Sequence, residues 1–126
     1  MRQQIVIFSL FLIIGSVFAG IIQEFKLKDD TVVTVQATNN TKVPNIVWTV
    51  DAVECLKEAI TVYVDEPNRA SAYLELFNGK HPGNWSVAVG YTTIISDSDL
   101  YVETIVSGGG KSLKKDKSGV LYRIFN

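Results

Sequence analysis

The chain has 126 residues, 47% of them hydrophobic and 20% charged, with a formal net charge of −1. That composition excludes a disordered chain, and it excludes a nucleic-acid binder that works through overall basicity. The single cysteine, Cys55, excludes an internal disulfide framework, and the single histidine, His81, excludes a site built on two imidazoles.

At the N-terminus, Met1-Arg2-Gln3-Gln4 places one positive charge ahead of the uncharged run Ile5–Ile14. Gly15-Ser16-Val17-Phe18-Ala19-Gly20 follows, with Val17 and Ala19 fitting the small-residue rule for cleavage before Gly20. The apolar run Ile5–Ala19 has fifteen residues, short of the roughly 20 that a spanning helix needs. Residues 1–19 are therefore expected to be a signal peptide, and residues 20–126 a single secreted, extracellular domain with no stable membrane insertion. Arg2 leaves with the signal, so the mature segment carries 11 basic and 13 acidic residues.

Along the mature segment, β-branched and aromatic residues recur in short runs. Thr31–Thr38, Ile46–Val50, Ile60–Val64, Ala72–Phe77, Trp85–Val89, Leu100–Ile105 and Val120–Phe125 each read as a strand, several with clean period-2 alternation. Asp29-Asp30 is placed to turn a hairpin between Glu24–Lys28 and Thr31–Thr38. Pro67, Asn78-Gly79, Ser96-Asp97-Ser98-Asp99 and Gly108-Gly109-Gly110 mark further breaks. The expected fold is all-β: a small antiparallel β-sandwich or barrel of about 7–8 short strands. One segment stays open. Residues 51–59 fit a short helix with Asp51 as N-cap and Glu54 at the capping-box position, or a strand.

Few residues point to chemistry. Asn39-Asn40-Thr41 and Asn84-Trp85-Ser86 are N-glycosylation sequons, making Asn39 and Asn84 candidate acceptors of a secreted glycoprotein. Cys55 reads as a buried small hydrophobe or as an interchain disulfide linking a homodimer, and its neighbours Glu54 and Glu58 argue against an activated thiolate. His81, in a Gly- and Pro-rich loop, is the one candidate base, and no Gly-x-Ser-x-Gly elbow accompanies it. Asp97 and Asp99 lack the glycine and glutamate of a calcium loop. Lys111, Lys114, Lys115 and Lys117 crowd a short stretch opposed only by Asp116, which suits an anionic partner. Trp48 and Trp85 suit either the core or the wall of a ligand cavity. No cofactor or metal is indicated.

Residues 60–105 resemble the small secreted arthropod proteins of the multiprotein-bridging-factor-2-like family. The likeness rests on Ile60-Thr61-Val62-Tyr63-Val64-Asp65, Ala72-Tyr73-Leu74-Glu75-Leu76-Phe77-Asn78-Gly79, and Val87-Ala88-Val89 leading into Tyr101-Val102-Glu103. The family's paired glycines are not matched, since Lys80 follows Gly79. The resemblance implies an all-β, secreted, non-enzymatic protein.

The functional expectation is thus a small secreted, non-enzymatic binding module. Its partner would be an extracellular protein, a glycan or an anionic surface, and not nucleic acid. The alternative is a carrier of a small hydrophobic ligand in a β-cavity.

Overall fold

The computed structural model describes residues 21–108 and 119–126. Among these residues, five strands and two helices follow one another as β1 (Ile22–Lys26), β2 (Val32–Ala37), α1 (Ile46–Val62), α2 (Glu66–Lys80), β3 (Ser86–Val89), β4 (Tyr101–Gly108) and β5 (Val120–Phe125). The strands form one open sheet in the order β1-β2-β4-β5-β3, with every neighbouring pair antiparallel.

This is an α+β protein, and the expected all-β sandwich or barrel is overturned. Ile46–Val50, Ile60–Val64 and Ala72–Phe77 are not strands. The first two fall largely at the ends of α1, and the third lies inside α2. The reason is burial at helical spacing. In α1, Thr49, Ala52, Val53, Leu56, Ala59 and Ile60 lie along one stripe and are buried. In α2, Arg69, Tyr73 and Phe77 recur every four residues and are all buried. The period-2 reading of Ala72, Leu74 and Leu76 put the wrong residues inside.

The caps fix where each helix starts. Asn45 precedes α1 in an extended conformation, and its side chain accepts a 3.0 Å hydrogen bond from the Val47 N–H. Asp51, expected as a cap, lies mid-helix, and α1 runs over 17 residues. Asp65 caps α2, accepting from the Asn68 N–H, and Pro67 sits in the first turn, where no backbone N–H is needed.

The sheet then divides into two faces. Val33, Val35, Val102, Thr104, Val106, Tyr122 and Ile124 point to the helix side, each at most 1% exposed. There α1 packs on β1, β2 and β4, and α2 packs on β3. The hairpin expected at Asp29-Asp30 is present, with Asp30 at φ 67° and the Leu27 N–H bonded to the Thr31 carbonyl at 2.9 Å. Gly108 ends β4 at φ +150°, where a Cβ would stand 2.5 Å from the Val32 carbonyl oxygen.

Candidate binding groove

The last turn of α1 leaves carbonyls without intrahelical partners. Arg69 answers this. Its guanidinium, 1% exposed, donates from Nε to the Tyr63 carbonyl at 2.6 Å and from Nη2 to the Ile60 carbonyl at 3.4 Å. A cation at a helix C-terminus also meets the negative end of the helix dipole. Burial pulls the Arg69 pKa down, and the Tyr122 hydroxyl and the Asp65 and Glu66 carboxylates push it back up.

With α1 ended this way, Val62, Tyr63 and Val64 turn outward, 62%, 42% and 71% exposed. They face the β1–β2 turn across a groove of about 360 Å³. Its walls are Leu27, Ile60, Val62, Tyr63 and Val64, with Lys28, Asp29 and Arg69 supplying charge. The groove is mostly apolar, and its rim carries Lys28 beside Asp29, while the Arg69 guanidinium is buried beneath it on the α1 carbonyls. That combination accepts an apolar body with an anionic end.

The aromatic residues singled out in the sequence gather elsewhere. Trp48 and Trp85 lie 6.2 Å apart by ring centroid. Phe77 meets Trp85 edge-on at 4.8 Å, and His81 stacks on Trp48 at 3.8 Å and 21°. His81 caps α2 and places Nε2 2.7 Å from Asp51 Oδ2. The Trp85 indole N–H donates to the His81 carbonyl at 2.6 Å. Neither tryptophan lines the groove: Trp48 and Val62 are fourteen residues apart on α1, about 21 Å along its axis. The ligand cavity is therefore not the interior of a β-barrel with tryptophan walls.

Cys55 faces the core at 2% exposure. Burial is the main cause of its pKa being pushed up to about 11, with Lys80 opposing and Asp51, Glu58 and Glu54 adding to it. An interchain disulfide through this sulfur needs the core to open, so the Cys55-linked homodimer is set aside. Both sequon asparagines, Asn39 and Asn84, are exposed. Thr41, in the first sequon, is already tied into the fold: its hydroxyl donates to the Thr38 carbonyl and accepts from the Glu103 N–H. Lys111, Lys114, Lys115 and Lys117 lie outside the described residues, as do residues 1–19. Asp97 and Asp99 are exposed, and among the described residues no group of three or more His, Cys, Asp or Glu is placed to hold a metal. No helix among them is long and apolar enough to cross a membrane.

Sequence reasoning missed one polar cluster, on the helix-free face of the sheet. Glu103 on β4 stands opposite Arg123 on β5, with Arg123 Nη2 3.4 Å from Glu103 Oε2. The Tyr91 hydroxyl donates to the same carboxylate at 2.6 Å and the Thr38 hydroxyl at 2.8 Å. The Arg123 guanidinium lies 4.7 Å from the Tyr101 ring centroid. Burial raises the Glu103 pKa, but the hydrogen bonds from Tyr91, Thr38 and Arg123 outweigh it and hold the carboxyl below its ordinary value. Outward positions on adjacent strands are a signal for such a pair only once the register is known.

Fold and site together define an α+β domain: an open antiparallel sheet, two helices on one face, and an apolar groove where α1 ends. Compared with protein-family models, curated proteins and solved structures, the chain matches none.

Proposed function

We propose that this chain is a secreted, non-enzymatic binding module that carries a small anionic amphiphile in the groove at the end of α1. The observation that carries the reading is the groove itself. At about 360 Å³ it falls in the size range of small-molecule sites. Its apolar wall includes the exposed pair Val62 and Val64, and covering such surface gains roughly 25 cal/mol per Å² removed from water. Lys28, exposed at the rim, supplies a cation for the anionic end. Extracellular residence is supported by the segment 1–19, with its uncharged run ahead of Val17 and Ala19.

Titration calorimetry with dodecanoate, and with dodecanol as the uncharged control, tests the reading. Dodecanoate should bind, and Val64→Asp should abolish binding. Lys28→Glu should weaken dodecanoate about fivefold while leaving dodecanol unchanged, the upper end of what one exposed charge contact supplies. Absence of binding by either probe would sink the proposal.

A further inference from the structure

We infer that β1 is a self-complementary edge through which two copies of this chain pair antiparallel. No residue of β1 lines the groove. β1 is the outermost strand, bonded on one side to β2, and among the described residues no strand pairs with its other side.

The free hydrogen-bonding groups follow from the hairpin. The Leu27 N–H donates to Thr31, so Leu27 belongs to a hydrogen-bonded pair with β2. Antiparallel pairs alternate between bonded and non-bonded, which assigns Phe25 and Gln23 to β2 as well. The N–H and C=O groups of Ile22, Glu24 and Lys26 therefore point away from the sheet. A second β1 must pair through those residues, which restricts the register to steps of two. Centring the two-fold axis on Glu24 opposes Glu24 to its own copy, and centring it on Lys26 opposes two lysines. Centring it on Phe25 sets Glu24 against Lys26 of the second copy, and Lys26 against Glu24. Two opposite-charge pairs then flank a Phe25–Phe25 contact in the non-bonded position, where side chains approach closest.

α1 packs above this edge. Lys57 reaches over β1, 3.4 Å from Gln23 Oε1 and 5.8 Å from the Phe25 ring centroid. It shares a shallow groove with Glu54, Glu58, Thr61 and Val62 on the exposed side of α1. Charged residues on an edge strand otherwise serve to keep strands apart, and the experiment separates the two roles.

Sedimentation of the secreted product, in reductant, should show a reversible dimer. Lys26→Glu and Glu24→Lys should each weaken it about tenfold or more, since each opposes like charges twice across the axis. An equimolar mixture of the two single variants should form a heterodimer, and the double exchange Glu24→Lys with Lys26→Glu should restore the wild-type constant. Circular dichroism checks that each variant stays folded, as expected for two exposed positions. A wild-type chain that stays monomeric, single variants that dimerise unchanged, or a mixture that stays monomeric would each overturn the proposal.

Discussion

His81 Nε2 lies 2.7 Å from Asp51 Oδ2, and this contact ties the C-cap of α2 to the middle of α1. The imidazole is held on its flat side as well, stacked on Trp48. Lys80 stands 4.0 Å from the other Asp51 oxygen, so the carboxylate faces two residues of the α2 end. Asp51→Ala should therefore loosen the helix pair at this end. The expected loss is about 1–2 kcal/mol, the scale of a hydrogen bond whose partner stays partly buried. A urea titration followed by tryptophan fluorescence reads it, and an unchanged midpoint would show that the Asp51 contacts add nothing to the aromatic stack at this end.

The Glu103–Arg123 pair predicts an acid limb in stability. The folded pKa of Glu103 lies below its ordinary value of 4.5, so the unfolded chain binds the proton more readily. Its contribution is fully present above that ordinary value and is lost as pH falls through the lower folded pKa. Glu103→Gln should flatten this limb. At neutral pH it should cost about 3 kcal/mol, because Arg123, 7% exposed, keeps a buried charge without its partner. Urea midpoints measured at several pH values below neutrality provide the check. An unchanged acid limb in the variant would place the titration elsewhere.

Tyr73 is fully buried, and among the described residues its hydroxyl has no hydrogen-bond partner. Its ring meets Tyr122 edge-on at 6.3 Å, so the packing resides in the ring and the polar atom adds a desolvation cost. Tyr73→Phe should stabilise the fold by about 1 kcal/mol, whereas Tyr73→Ala should destabilise it by about 3–5 kcal/mol. Thermal and urea unfolding of both variants test this. A destabilised Phe variant would mean that the hydroxyl is bonded in solution.

The strands were readable because each keeps its rule within five or six residues. Val33 and Val35 alternate with Thr34 and Gln36, and Val120, Tyr122 and Ile124 alternate with Leu121 and Arg123. The turn at Asp29-Asp30 was equally local. The helices were not readable in windows of that size. Ile46-Val47-Trp48-Thr49-Val50 has the composition of a strand, and only the longer spacing from Thr49 to Ile60 shows the stripe that α1 buries. The Asp65 cap with Pro67 behind it, followed by Arg69, Tyr73 and Phe77, was the corresponding signal for α2.

The sequence by itself marked four true strands among the seven runs that it offered, the first hairpin and the residue types available for chemistry, because these depend on near neighbours along the chain. Tertiary structure decided the rest, because it depends on residues distant in sequence. Trp48 and His81 meet only when α1 and α2 pack, and Glu103 and Arg123 meet only in the β4–β5 register. Leu27 and Val64 face one groove only because Arg69 ends α1 beside the first hairpin.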